Sequence, residues 1–475
     1  MAELDTIDVE LKDLKIVKSI FARHLPHKQV WAYGSRVKWT ATHTSDLDCV
    51  VFGATDSEIA DAKEAFDESD IPFEVQLLNW KTIPDDFKEN IREQYFVLQN
   101  KLDWRETTLG EIADSNLSTI NKNYPHHIIQ YLDTGSITCG KIEGVQEVAL
   151  TDAPSRAKRL VQNGDIIYST VRPIQRHYGF IKNPPDNLVV STGFSVITAN
   201  TDKAYPLYLY YFLTSDDTTE ALDVIAEAST SAYPSLKPSD IEAQKISLPS
   251  LPEQKAIASV LSSLDDKIDL LHRQNKTLES IAETLFRQWF IEEAQDDWEE
   301  GKLGDFIIPK KGNNITKSQA IDGQYPVIAG GLNPSCYHNQ CNTNAPVITI
   351  SASGANAGFV NLYYIPVWSS DSSFIDSKTT NYIYFFYIFL KYYQGSIYDK
   401  QEGSAQPHIY PSHLIDLDIL KYPLNLIKNY DFNVTPLFCK IEKNQKQIKT
   451  LESLRDTLLP KLISGNIRVK YEAAA

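Results

Sequence analysis

Between positions 251 and 292 the chain places Ile257, Leu261, Leu264, Ile268, Leu271, Asn275, Leu278, Ala282, Leu285 and Trp289 alternately four and three residues apart. This is the period of a coiled-coil seam, and it predicts one long helix whose apolar stripe needs a partner helix. Pro252 suits a first helical turn, where no backbone N–H has to be given away, and Glu253 beside it favours the positive end of the helix dipole. At about 1.5 Å per residue, about forty residues make a rod of roughly 60 Å, long enough to hold two domains well apart.

The partner lies in the same chain. Lys276-Thr277-Leu278-Glu279-Ser280 recurs unchanged as Lys449-Thr450-Leu451-Glu452-Ser453, 173 residues later. Around it Leu437, Ile441, Asn444, Ile448, Leu451, Arg455, Leu458 and Leu462 repeat the seam, which predicts a second helix over 434–466. A second match has the same offset: Ser231-Ala232-Tyr233-Pro234 against Ser404-Ala405-Gln406-Pro407. Each half opens on a similar phrase, Asp103-Trp104-Arg105-Glu106 then Leu109-Gly110, and Asp297-Trp298-Glu299-Glu300 then Leu303-Gly304. The chain from 103 onward is therefore read as two copies of one unit, a globular module over 103–250 or 298–433 followed by a long helix. Asn275 breaks the apolar stripe of the first seam, with Ile448 at its repeat-matched position and Asn444 one step earlier. A single polar seam residue fixes register at a cost in stability. On that reading Asn275→Ile raises stability and loosens register.

Shorter patterns fill the modules. Gly164 to Ser169 reads as a turn entering a buried strand, Leu207 to Leu213 as a Tyr-rich core helix, Val347 to Gly354 as a strand ending in a loop, and Tyr382 to Tyr393 as an aromatic helix. The frames correspond while the loop residues differ: Ser169, Arg172 and Arg176 against Ser351, Ser353 and Asn356. A repeated frame with divergent loops fits two recognition surfaces for different targets, with arginine reading guanine and asparagine reading adenine as the expected chemistries. Lys310, Lys311 and Lys317, like Arg156, Lys158 and Arg159, are candidate phosphate contacts. At any single position an ordinary solvated loop residue is the competing reading.

Residues 1–100 form a separate small α/β unit. Leu4 to Leu25 has helical spacing, Gln29 to Tyr33 is a short strand ending in Gly34-Ser35-Arg36, and Leu47 to Phe52 is a strand entered through Ser45-Asp46-Leu47-Asp48. Carboxylates two apart on a strand point to one side, which suits joint binding of a divalent metal, and a Gly-Ser turn can offer N–H groups and a hydroxyl to a phosphate.

Composition widens the picture only a little. At 475 residues, 42% hydrophobic and 23% charged, the chain is long enough for three globular domains. Its five cysteines, Cys49, Cys139, Cys336, Cys341 and Cys439, lack paired spacing and follow no signal peptide, which points to a reducing cytoplasm. Cys336, His338 and Cys341 make half a zinc site at most, since no second pair completes four ligands. The apolar run Ile383 to Leu390 is too short to span a bilayer, so no membrane partner is expected. The terminal Ala473-Ala474-Ala475 follows an ended pattern and reads as an appended remnant. A net charge of −16 speaks against nucleic acid, but residues 1–100 hold 19 acidic and 11 basic residues and so carry half of that excess. The remainder leaves room for local basic surfaces.

The Gly-Ser turn, the Asp-x-Asp strand, Pro72 to Trp80 and Tyr95 to Leu98 together resemble the minimal nucleotidyltransferase domain of the polymerase-beta superfamily. Carried over, the resemblance implies that Gly34 and Ser35 hold the triphosphate of a nucleotide and that Asp46 and Asp48 ligate Mg²⁺. In that family a third carboxylate sits on the next strand, where this chain has Gln76. An amide ligates Mg²⁺ weakly and cannot act as a base, so the unit is expected to be catalytically weak or dead, surviving as a nucleotide-binding or docking module.

Residues 103–470 resemble a specificity subunit of a type I DNA restriction-modification system, with Leu248-Pro249-Ser250-Leu251-Pro252-Glu253-Gln254 as the most specific motif. The resemblance implies an α/β protein in which the nucleotidyltransferase-like α/β domain precedes two α/β target-recognition domains separated by two long helices, these forming an antiparallel coiled coil. Each recognition domain would read one half of a split site in double-stranded DNA, and major-groove faces recurring about every 34 Å would let the rod set a spacer. Two methyltransferase subunits and restriction subunits are the implied partners. They would bind S-adenosylmethionine and ATP, and the specificity region would need no cofactor and no catalysis of its own. Residues 103–470 show no Asp/Asn-Pro-Pro-Tyr/Phe motif and no Walker A sequence, and Pro184-Pro185-Asp186 lacks the strand context of a methyltransferase site. Two other readings remain at this point: a nucleotidyltransferase whose target is chosen by the repeats, and an adaptor in which the coiled coil only holds partners apart.

Overall fold

A computed structural model describes residues 2–3, 6–26, 28–42, 44–99, 104–229, 233–403 and 406–469. Leu4, Asp103, Ser231, Ala232, Ser404, Ala405 and Ala473 to Ala475, which enter the expectations above, lie outside them. The chain divides into two compact units, Met1–Ser263 with Leu454–Ala475, and Leu264–Ser453.

In the first unit, the N-terminal domain is a five-stranded sheet in the order Ala2–Glu3, Gln94–Gln99, Gln29–Tyr33, Leu47–Phe52, Val75–Asn79. Leu47–Phe52 runs antiparallel to Gln29–Tyr33 and parallel to Val75–Asn79. Its alternation sends Leu47, Cys49 and Val51 into one core with Val17 and Phe21 of helix Leu11–His24 and Ala62 and Phe66 of helix Asp56–Asp67. The first helix starts at Leu11, later than the apolar spacing from Leu4 implied, because Ile7 and Val9 join that core from a non-helical segment that turns at Asp8, where Val9 N donates to Ile7 O at 2.9 Å.

The first module closes on itself through strand Arg105–Thr108, paired antiparallel with Lys245–Leu248. Between them lie an antiparallel sheet ordered Tyr178–Phe180, Ile166–Ser169, Phe194–Ala199, Ala113–Ser115, and a mixed sheet ordered Gln146–Ala149, Ile128–Leu132, Leu188–Ser191, Ala157–Leu160. The Tyr-rich helix is Pro206–Leu213. At the root of the first long helix, Glu253 is 2% exposed and Gln254 is 1% exposed. Glu253 accepts from Trp104 Nε1 at 3.2 Å and from Arg468 Nε and Nη2 at 2.9 and 2.8 Å. Gln254 Oε1 accepts from Tyr205 N at 2.7 Å, and its Nε2 donates to Pro249 O at 2.9 Å and Lys203 O at 3.2 Å. The expectation for Glu253 therefore needs widening: it is a buried, paired charge as well as a first-turn acid.

In the second unit the same design recurs. Glu300–Lys302 pairs with Asp418–Leu420, and the antiparallel sheet runs Val360–Tyr363, Val347–Ser351, Ser372–Asp376, Lys310–Lys311. A smaller sheet holds Cys336–His338, Tyr325–Ile328 and Trp368–Ser369, and the aromatic helix is Ile383–Tyr392. Both opening phrases do the same work: Leu109 N donates to Gln244 O and Leu303 N to Leu417 O, each at 2.9 Å. A Cβ on Gly110 would press on Glu242, and one on Gly304 would collide with Ile415, so glycine follows leucine in each phrase.

The seam helices are Leu251–Arg287, continued by a π-helical turn Gln288–Glu292, and Leu424–Ile463. In the first unit Ile257, Ala258 and Leu261 meet Leu458 and Leu462. In the second, Ile268 and Leu271 meet Ile448 and Leu451, and Tyr430 OH donates to Ala282 O at 2.7 Å. Rising numbers on one helix meet falling numbers on the other, so the pairing is antiparallel. The second helix begins ten residues before the expected 434. Its first turns bury Ile427, Tyr430, Val434 and Phe438 in the module core, and Asp431 Oδ1 accepts from Tyr384 N and Phe385 N at 3.1 and 3.0 Å. Ile427, Tyr430 and Val434 continue the alternating three-and-four spacing back from Leu437, so the seam period itself carries the helix ahead of the expected start. Pro436 lies inside the helix and withholds one donor from the turn before it.

Candidate functional site

The N-terminal carboxylates sit where the sheet brings three strands together. Strand pairing sets Asp48 beside Tyr33 on one side and Gln76 on the other. Gly34 adopts φ +78°, and a Cβ there would collide with the Asp48 carboxylate, so only glycine brings the turn this close. Lys38 N donates to Gly34 O at 3.1 Å and Thr40 N to Ser35 O at 3.0 Å, closing the turn. Arg36, 6% exposed, fastens the loop that delivers Asp46: Nε and Nη2 donate to Ser45 O at 3.0 and 2.6 Å, and Nη1 to Asp8 O at 2.9 Å. Its guanidinium also lies 4.1 Å from the centroid of the Phe73 ring. The role of Arg36 was not anticipated; its place directly after Gly-Ser was the available signal.

Burial first, and the neighbouring Asp46 second, hold the Asp48 carboxyl above its ordinary range. Burial, with Asp48 adding to it, pushes the Tyr33 hydroxyl up to about 12. Two carboxylates facing one side suit a cation. Gln76 Nε2, however, donates to Asp46 Oδ2 at 2.9 Å, and among the described residues no three Asp, Glu, His or Cys side chains converge to hold a metal. The donor set fits one weakly held Mg²⁺ on Asp46 and Asp48, and does not fit a pair of metals.

The two loops that carry the candidate residues leave matching strands. In the first module Arg172 N donates to Pro234 O at 3.1 Å and Leu236 N to Thr170 O at 2.7 Å; in the second Gly354 N donates to Pro407 O at 3.0 Å and Ile409 N to Ala352 O at 2.9 Å. The repeated Pro234 and Pro407 phrases are thus clips that hold the strand-exit loops in one backbone arrangement.

Side chains on this frame differ in availability. Ser169 is 2% exposed, and its hydroxyl donates to Val171 O and accepts from Val171 N, so it shapes the turn from inside. Ser351, 3% exposed, donates to Ala329 O, and Ser353 Oγ donates to Asp371 Oδ2. These three hydroxyls are engaged within their own modules. Arg176 is ion-paired with Asp216 at 2.7 Å. Arg172 is exposed, its guanidinium 5.7 Å from the centroid of the Tyr233 ring, and Asn356 is half-buried in the second loop, its backbone carbonyl accepting from Phe359 N. Lys310 and Lys311 are exposed on an edge strand, Lys310 lying 3.7 Å from Asp376 and over the Phe374 ring. Arg156, Lys158 and Lys317 are exposed, while burial lowers the pKa of half-buried Arg159. The five cysteines are all free thiols. Among the described residues no helix is long and apolar enough to cross a membrane.

Residues 101–280 and 295–420 match the family described as the type I restriction modification DNA specificity domain, and residues 15–102 match polymerase beta nucleotidyltransferase. The HindI type I restriction enzyme specificity subunit of Haemophilus influenzae is 32% identical over 225 residues, 47% of this chain and 48% of the relative, so the chain spans about half of that relative's length. The probable protein adenylyltransferase MntA of the same organism is 41% identical over 104 residues, 21% of this chain and 91% of the relative. The crystal structure of a type I restriction-modification S subunit from M. genitalium shares the fold at a TM-score of 0.51 and 20% identity, over 77% of this chain and 97% of that one.

Proposed function

The chain belongs to the type I restriction-modification DNA specificity family, and from that premise we propose that it selects a split site in double-stranded DNA through its two modules. The observation that carries the reading is the repeated frame: the same pair of backbone hydrogen bonds clips each strand-exit loop, while the side chains mounted on the two loops differ. A shared frame with different side chains is what two readers of different half-sites require. Two methyltransferase subunits, with restriction subunits, are the partners; S-adenosylmethionine and ATP belong to them, and the site of action is the cytoplasm. The specificity region contributes no catalysis of its own. Residues 1–100 form a nucleotidyltransferase-type domain whose transfer activity is weak or lost. Supporting this, an amide stands where the resemblance calls for a third carboxylate, and it engages Asp46 directly.

The test is modified-base sequencing of DNA from cells that express the full chain with its methyltransferase subunits. Methylation confined to a motif of two short blocks around an unread spacer is the expected result. A complex that forms and methylates no such motif contradicts the proposal.

A further inference from the structure

Resting on the specificity reading above, we infer that Arg172 reads a guanine in the half-site assigned to the first module, and that the second module reads its half without an equivalent arginine. Two arginines border the loop after strand Ile166–Ser169, and they are differently engaged. Arg176 gives its Nη2 to Asp216 at 2.7 Å and serves the fold. Arg172 is exposed, and among the described residues no carboxylate pairs with it. Its guanidinium lies over Tyr233, itself 65% exposed, with 5.7 Å between the guanidinium carbon and the ring centroid. An aromatic face holds an arginine in place while leaving its forked N–H donors available for the O6 and N7 acceptors of guanine in the major groove.

The backbone points the same way. Arg172 has φ +47° and ψ 72°, a left-handed conformation that L side chains disfavour. The matched position in the second module, fixed by the same N–H bond to a proline carbonyl, is Gly354 at φ +83°, with open space where a Cβ would stand. The frame itself accepts glycine, so the arginine is not there to build it. Arg176 is left-handed too, at φ +57°, but its ion pair with Asp216 accounts for it; Arg172 keeps a long cationic side chain against the backbone's preference without such a pair, which marks it for contact with a ligand. Tyr233 has Gln406 as its counterpart at the 173-residue offset, so the second module lacks both members of the pair.

The test uses the full chain assembled with its methyltransferase subunits, carrying Arg172→Gly or Arg172→Lys, and modified-base sequencing of cellular DNA. Glycine is the informative replacement because Gly354 occupies the matched place in the same frame. In Arg172→Gly one G·C position of one half-site becomes degenerate, with discrimination falling about tenfold or more, while the other half-site is unchanged. Arg172→Lys, a point charge without the fork, gives an intermediate loss. An unchanged motif overturns the assignment, and so does a uniform drop in methylation with the motif intact, the signature of a phosphate contact. A wild-type complex that methylates no split motif overturns the specificity reading, and the assignment with it.

Discussion

At the scale of single residues, the proposed loss of transfer activity in the N-terminal domain rests on Gln76. Its Nε2 donates to Asp46 Oδ2 at 2.9 Å, placing a hydrogen-bond donor where a metal would need an acceptor, while Asp48 beside it is kept above its ordinary pKa by burial and by Asp46. Replacing the amide by a carboxylate supplies the missing ligand and adds a third like charge. Gln76→Asp is therefore expected to be less stable than wild type without divalent cation and to be stabilised by Mg²⁺, by about 2.7 kcal/mol at a hundredfold excess over Kd. Thermal denaturation of both proteins with and without Mg²⁺ measures this, the wild type shifting little. Nucleotide transfer by the wild-type chain from Mg²⁺-ATP, abolished by Asp46→Asn, would show the domain to be active.

At the scale of elements, the seam carries a polar pair where a single interrupting asparagine was expected. Asn444 is fully buried, and its Nδ2 donates to Asn275 Oδ1 at 2.8 Å and to Gln274 Oε1 at 3.4 Å. The expected gain from Asn275→Ile is reversed by this geometry, because an apolar residue there strips a buried amide of its shorter hydrogen bond. We predict that Asn275→Leu costs about 1–3 kcal/mol in denaturant unfolding, and that Asn275→Leu with Asn444→Leu recovers most of it while relaxing register. A single variant more stable than wild type would refute the pairing. The seam residues themselves were legible, since each of Ile257, Leu261, Ile268, Leu271, Ile441, Ile448 and Leu462 is buried as the period requires. Strands such as Gln29–Tyr33 and Leu47–Phe52 were legible to the residue, because short apolar runs between turn residues have little freedom. Hidden from the sequence were contacts made at long range: Arg468 closing on Glu253, Asp431 capping the aromatic helix, and Arg176 held by Asp216. A polar side chain looks the same in sequence whether it faces solvent, its own turn or a distant charge, and so Ser169 and Arg172 could be told apart only in three dimensions.

At the scale of the whole molecule, the repeat is a repeat of backbone bonds as well as of words. Leu109 to Gln244 and Leu303 to Leu417 close the two modules, and Pro234 and Pro407 clip their loops, with the same donors and acceptors in each. If each module is a self-contained reader, its specificity travels with it. The most direct test is a chain in which residues 303–417 are replaced by residues 109–244, joined at those matched bonds, assembled with the methyltransferase subunits and read out by modified-base sequencing. The account predicts that one half-site of the wild-type motif disappears and the other occurs twice. A chimera that assembles and still methylates the wild-type motif, or a motif unrelated to either half, would contradict it.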